Sequence, residues 1–190
     1  MAKAQTDRTA RRTAWRNPVL RFEGTSQAPA EAVYDLLADL HSHLEWAGRR
    51  QLETTRLLTM DAPQGPARVG TEFFTTGSDG KVARWSDRSV VTEATPAEVF
   101  EFVTEGRREG KPGSRPWLAT AVHRYTIAPD PGGSRVVYTE DLTRLEGAPW
   151  IFTAPGISRL VFRISAKYMR RGFDALLSLA EERAGADPPA

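Results

Sequence analysis

The chain has 190 residues, no cysteine and a formal charge of +2, a composition typical of one globular domain with a sizeable core. The missing cysteines exclude disulfides, thiolate metal sites and cysteine nucleophiles, and no apolar run approaches the ~20 residues of a membrane span. Because the N-terminus also lacks the apolar segment of a signal peptide, we predict a cytoplasmic protein without stable membrane insertion.

Positive charge is concentrated at the N-terminus. Residues 1–16 hold five basic side chains and one acidic side chain, so the remaining chain is slightly acidic. A nucleic-acid-binding domain places its excess positive charge on a folded face. We therefore predict a disordered basic tail over residues 1–17, one folded domain over 18–184, a frayed end over 185–190, and no nucleic-acid partner.

The first elements are a strand and a broken helix. "VLRFEGTS" (residues 19–26) alternates as a strand does, and "APAEAVYDLLADLHSHLEW" follows it. Pro29 suits the first helical position and Glu31 suits the first turn. The apolar residues on one helical face are Val33, Leu36, Leu37, Leu40 and Leu44. We expect the helix to break near Leu40, which gives two short helices.

Alternation and turn residues predict six further strands, over residues 49–60, 71–76, 82–93, 99–105, 118–128 and 135–146. Hairpin turns are expected at Asp79-Gly80, at Pro96 and within "PDPGGS". Residues 106–117 are interpreted as a loop with a solvated basic run or a mobile gate.

The C-terminal segment has a helical period over about seven turns. We expect one long helix whose apolar side lies on the concave face of the sheet. The residues assigned to that side are Ile157, Leu160, Val161, Ile164, Tyr168, Phe173, Leu176, Leu177 and Ala180.

Four segments together carry a family resemblance. They are the helix pair ending at Trp46, "RVG" before "TEFF", "RWSDRSVVTEATPAEVFEFVTE", and the hairpin "HRYTIAPDPGGSRVVYTE". Their order resembles the START-like SRPBCC superfamily of START, birch-pollen-allergen and polyketide cyclase/dehydrase-like proteins. The resemblance implies an α+β helix-grip fold: a curved seven-stranded antiparallel sheet wrapped around a long C-terminal helix, with two short helices after the first strand. It also implies a hydrophobic small-molecule partner, and we expect no cofactor.

The last hairpin has a natural register across its turn. Ile127 opposite Val136 pairs Tyr125 with Tyr138 and His123 with Glu140, all on one face. If that face is concave, His123 and Glu140 lie within hydrogen-bonding reach. Two interpretations stay open, a catalytic acid–base pair and a satisfied polar pair at a cavity wall.

The tryptophan strand supplies a second set of candidates. Pairing of Phe100 and Phe102 with Val91 and Ser89 across Pro96 would make the Trp85 face concave, and Asp87 would share that face. Similarity to aromatase/cyclases implies an arginine on the same face as Trp85. Arg88 alternates onto the other face of the strand. Asp87 would then need a partner, either His123 or a ligand hydroxyl.

Several aromatic residues have both a packing and a binding interpretation. Trp46 either packs at the end of the fold or stacks on a ligand. Tyr168 and Phe173 either belong to the core or form the floor of a cavity. Trp150 lies in an apolar loop that is a lid, a membrane contact or buried. His41-x-His43 lacks a third metal ligand, so we expect no metal site.

Three functions remain open from the sequence. The first is binding or carriage of a lipid, polyketide or aromatic metabolite between sheet and helix. The alternative is an aromatase/cyclase- or dehydratase-type enzyme that uses His123 and Glu140. The second alternative is a protein-interaction module with a collapsed cavity, and the oligomeric state is left open.

Overall fold

A computed structural model describes residues 19–49, 55–79, 84–110, 113, 115–154 and 156–186. The predicted basic tail over residues 1–17 lies outside these residues, as do Gly80 of one predicted turn and residues 187–190.

Seven antiparallel strands form one sheet in the order β1-β7-β6-β5-β4-β3-β2. The strands are β1 Val19–Ser26, β2 Thr55–Asp61, β3 Glu72–Asp79, β4 Arg84–Thr95, β5 Val99–Glu109, β6 Trp117–Asp130 and β7 Gly133–Glu146. The α-helices are α1 Ala30–Ala38 and α2 Ile157–Ala186, and three short helical segments cover Leu40–Ser42, Leu44–Arg49 and Trp150–Phe152. The predicted α+β helix-grip fold is confirmed.

Helix α1 buries its apolar side because Val33, Leu36 and Leu37 recur at helical spacing. The chain leaves the helix at Asp39, where ψ is 87°, close to the predicted break. Ser42 then donates a hydrogen bond of 2.7 Å to the Leu36 carbonyl, which folds the following segment back onto α1.

The β6–β7 hairpin has the predicted register, with Ile127 opposite Val136 and His123 opposite Glu140. Its turn requires glycine at Gly133, where φ is 143° and a Cβ atom would lie 2.2 Å from the Ser26 carbonyl oxygen. This close approach holds the turn against the β1–α1 connection.

Three strand predictions need correction. Arg49, assigned to the second strand, ends a helical segment instead. Residues 106–109 continue β5 rather than beginning a loop. Across the β4–β5 turn, a bulge between Val91 and Glu93 sets Val91 opposite Phe102 and Ser89 opposite Thr104. The predicted pairing of Phe100 with Val91 is therefore wrong, because the extra residue shifts the ladder.

Helix α2 has two unlike halves. Its buried side chains all lie between Gly172 and Ala180, whereas Ile157, Leu160 and Ile164 are 40%, 59% and 53% exposed. Ile164 and Phe173 are nine residues apart, which is about 2.5 turns and therefore opposite sides of the helix. The single apolar stripe predicted for this helix is wrong, because the stripe changes sides after Tyr168. The helix also runs to Ala186, two residues beyond the predicted domain end.

Candidate functional site

Small residues occupy the concave face of the three central strands, β4, β5 and β6. Ser89, Thr104 and Ala121 form one row across the sheet, and Gly106 and Ala119 lie in the next. Short side chains of this kind project little volume from the sheet.

Acidic and basic side chains border this small-residue wall. Arg108 donates a hydrogen bond of 2.5 Å to Oδ1 of Asp87, and its guanidinium lies 5.2 Å from the centroid of the Trp85 ring. Gly106 makes room for the pair, because a Cβ atom there would lie 2.5 Å from Asp87 Oδ1. Arg108 is therefore the partner that Asp87 needs.

A hydrogen-bonded relay crosses β6 and β7. The Tyr138 hydroxyl donates to Oε2 of Glu140 at 3.0 Å, and Nδ1 of His123 lies 2.8 Å from the same hydroxyl oxygen. Since Tyr138 gives its only proton to Glu140, Nδ1 of His123 must be the donor to Tyr138. Neutral His123 then carries its free lone pair on Nε2, which has no hydrogen-bond partner within the described residues.

Burial and neighbouring charges set the protonation of this cluster. Burial lowers the pKa of His123 below its ordinary value, and the Glu140 and Asp87 carboxylates oppose that shift. Burial also raises the pKa of Asp87, against the effect of Arg108, and raises the pKa of Tyr138 well above its ordinary value. At neutral pH the imidazole is therefore uncharged and able to accept a proton.

The inner polar side chains still reach solvent. His123 and Glu140 are 18% and 17% exposed, and Arg108 is 23% exposed. The N-terminal half of α2, attached near this end, is only half-buried on its inner side at Phe162 and Met169. Both the polar cluster and this half of the helix therefore keep some contact with solvent.

An aromatic anchor fixes the start of α2 at this end. The Phe152 ring lies 5.2 Å from Trp117 and 6.4 Å from Phe162, measured between centroids. Trp117 pairs with Arg108 in the sheet, so the anchor holds the N-terminal half of α2 beside the polar cluster.

The structure brings several predicted site residues together. Phe102 stacks on His123 at 4.7 Å between ring centroids, and Tyr125 lies 4.7 Å from Tyr138. Arg108 holds Trp85 and Asp87 in a second group, and the charges of Asp87 and Arg108 act on the pKa of His123.

Four other predicted ligand contacts lie elsewhere. Phe100 and Phe173 are fully packed core residues, and Trp46 is buried beside His43. Tyr168 stacks under Arg171 on the side of α2 that carries Ile164. The position of Tyr168 follows from the change of side in α2.

Arg108 is the site residue that the sequence analysis placed in a loop. The alternation of β5 could have predicted its orientation, because every second residue of the strand faces inwards and position 108 continues that series. The earlier members of the series are Phe100, Phe102, Thr104 and Gly106. The inward arginine that the resemblance implied is present, but it comes from the neighbouring strand instead of the tryptophan strand. Arg88, as its parity indicated, faces outwards and pairs with Glu72.

Two open clefts lie outside the grip. One, of about 280 Å³, is bordered by Leu44 and Leu57. The other, of about 460 Å³, is bordered by Tyr34 and Val69. Among its described lining residues each has a single charged side chain, Arg56 or Arg68, so neither offers the combination of groups found around His123.

The family model for polyketide cyclase / dehydrase and lipid transport matches residues 18–181. The chain belongs to this family. Its match covers the whole grip, from the first strand to the buried half of α2. No curated protein matches the chain.

Solved structures of this family's fold are similar in shape and distant in sequence. A protein from Rhizobium leguminosarum superposes with a TM-score of 0.63 at 17% identity, covering 88% of this chain and 95% of its own. A conserved protein from Geobacillus kaustophilus gives 0.59 at 14%, with 87% and 94% covered. Ara h 8.0201 gives 0.55 at 15%, with 86% and 97% covered. At these identities the likeness establishes the START-like fold alone.

Proposed function

We propose that this member of the polyketide cyclase / dehydrase and lipid transport family binds a hydrophobic small molecule between the sheet and the N-terminal half of α2. The observation that carries the proposal is the partly exposed polar cluster at one end of an otherwise apolar concave face. Ligand sites have this composition, with apolar walls for affinity and few polar groups for orientation.

The charge of the cluster indicates which polar group of a ligand the site would accept. Arg108 is neutralised by Asp87, and Glu140 leaves a surplus negative charge beside the neutral His123. Nε2 of His123 then offers a hydrogen-bond acceptor. A phenol or alcohol on an apolar skeleton fits this site, and a carboxylate would be repelled.

The first test is native mass spectrometry of the protein purified from its own host, with organic extraction of any bound compound. We expect a stoichiometric apolar compound that carries a hydroxyl group. The absence of any such compound, together with failure to bind added 2-naphthol, would contradict the proposal.

A matched pair of variants locates the site. Ala119 lies on the concave side of β6 beside Gly106, and Ala128 lies exposed on the convex side of the same strand. Ala119→Phe places a ring in the proposed site and should abolish 2-naphthol binding, while Ala128→Phe should leave it unchanged. Circular dichroism checks that both variants fold, and equal binding by the two would place the ligand elsewhere.

A second candidate function is acid–base catalysis of the aromatase/cyclase or dehydratase kind. The relay favours it, because Tyr138 and Glu140 hold His123 in the form whose Nε2 accepts a proton. His123→Gln separates the two functions. A carrier should lose modest affinity for its compound, whereas an enzyme should bind it and lose most of its turnover.

The interaction-module hypothesis fits the geometry less well. A collapsed cavity would exclude solvent from its walls, but His123 and Glu140 keep about a sixth of their side-chain surface exposed.

A further inference from the structure

A second apolar surface lies on the outside of the molecule. Among the described residues, nine large apolar side chains are exposed, and four of them lie within residues 150–164: Trp150, Ile157, Leu160 and Ile164. The last three recur at helical spacing along one side of α2, and we call them the outer stripe. They face away from the side on which Phe173 packs. A clustered apolar surface of this kind marks a contact with another phase or molecule.

The outer stripe has a strongly basic border. Residues 157–173 contain five basic side chains and no acidic one. Arg170 pairs with Asp174, and Arg171 lies over the Tyr168 ring. Within the described chain, Arg163 and Lys167 have no acidic partner. They lie three and seven residues after Leu160, which places them along one flank of the stripe.

Trp150 extends the apolar surface at the start of the helix. Its side chain is 66% exposed, although Phe152 in the same helical turn is held by Trp117 and Phe162. Hydrogen bonds from Ala154 N to Trp150 O, at 2.7 Å, and from Ser158 N to Ala154 O, at 3.0 Å, connect this turn to α2. An exposed tryptophan suits the boundary between water and lipid.

We propose that Trp150, the outer stripe and its basic flank dock the protein on the surface of an anionic lipid bilayer. The apolar side chains would enter the headgroup region while Arg163 and Lys167 contact lipid phosphates. A second copy of the chain is the poorer partner, since a symmetric contact would set two cation-rich helix faces against each other. No helix in the described residues is long and apolar enough to cross a membrane, so the contact is peripheral.

The experiment is co-sedimentation of the full chain with vesicles of phosphatidylcholine, alone or mixed with phosphatidylglycerol. We expect binding to the mixed vesicles, little binding to phosphatidylcholine alone, and weakening as salt is added. Absence of binding to the mixed vesicles would overturn the proposal.

Variants assign the binding to this surface. Leu160→Ser with Ile164→Ser, and separately Arg163→Gln with Lys167→Gln, should each weaken binding about tenfold or more. Val69→Ser is the control for the apolar pair, because Val69 is 64% exposed in the loop between β2 and β3. Arg8→Gln with Arg11→Gln and Arg12→Gln controls for the basic N-terminal segment, and both control variants should bind like the parent.

Two outcomes would assign the surface differently. If binding is lost only in the N-terminal variant, the tail and not α2 contacts the lipid. If the parent chain forms a dimer that Leu160→Ser with Ile164→Ser dissociates, the stripe is covered by a second copy. Either result would overturn the proposal, and neither depends on the ligand of the inner site.

Discussion

Tyr138 fixes the tautomer of His123. Its hydroxyl oxygen lies 2.8 Å from Nδ1 of the imidazole, and the hydroxyl donates its hydrogen bond to Glu140. The free lone pair of the ring is therefore on Nε2. The ring nitrogen that can accept a proton is thereby determined by a residue on the neighbouring strand.

The titration of His123 should respond in opposite directions to two charge changes. Glu140 raises the pKa of His123 and Arg108 lowers it. Glu140→Gln should therefore lower that pKa further, and Arg108→Gln should raise it. Proton NMR of the imidazole measures both, with His123→Gln to assign the signal. Glu105→Gln, on the convex face beside Arg88, is the control and should leave the signal unchanged. Shifts of the same sign in both variants would contradict this account.

Asp87 and Arg108 should be energetically coupled. Arg108→Met leaves a nearly buried carboxylate without its partner, and we expect a loss of about 2 kcal/mol in the free energy of unfolding. Adding Asp87→Asn removes the charge and should recover most of that loss. Urea unfolding of the two single variants and the double variant gives the coupling energy. Additive effects would mean that the ion pair contributes nothing.

His43 should make the fold sensitive to acid. It is buried with Nε2 2.9 Å from the Leu37 carbonyl oxygen, and burial lowers its pKa from 6.5 to about 4. The unfolded chain therefore binds a proton more readily, so this stability is complete above pH 6.5 and lost as the pH falls towards 4. At pH 4.5 the loss amounts to about 2.5 kcal/mol.

His43→Gln keeps a donor for Leu37 but does not titrate. Between pH 7 and pH 4.5 the parent should lose about 2.5 kcal/mol more than this variant in urea unfolding. Parallel pH profiles would show that His43 is not the acid-sensitive group.

Ala97 in the β4–β5 turn has a φ of 59°, a left-handed conformation that is unfavourable for a residue with a Cβ atom. Glycine adopts this conformation without a Cβ clash, so Ala97→Gly should raise the free energy of unfolding by about 0.5–1 kcal/mol. Ala128→Gly, within strand β6, should lower it instead. A loss of stability in Ala97→Gly would show that the turn is relaxed.

Local patterns predicted most of the fold. The hairpin from His123 to Glu140 follows from a turn at "PDPGGS" and strict alternation, and both signals are local. The concave position of Trp85 and Asp87 follows from the same alternation, although the pairing used to argue it overlooked the bulge at β4.

The remaining features depend on contacts between distant segments. Arg108 looks like part of a solvated basic run until Asp87, twenty-one residues earlier, offers it a partner. The change of side in α2 is visible as the five-residue step from Tyr168 to Phe173, but an apolar residue at a helical position does not reveal whether it faces protein or something else.

Because α2 has two unlike halves, we expect the free energy of local opening to differ between them. Amides from Gly172 to Ala180 lie in the core-packed part of the helix and should exchange with deuterium only when the whole domain unfolds. Residues 157–169 include no fully buried side chain, and part of their packing comes from the Phe152 ring, so their amides should exchange through local opening. We therefore expect the N-terminal half of α2 to open at a lower free energy than the unfolding of the whole domain.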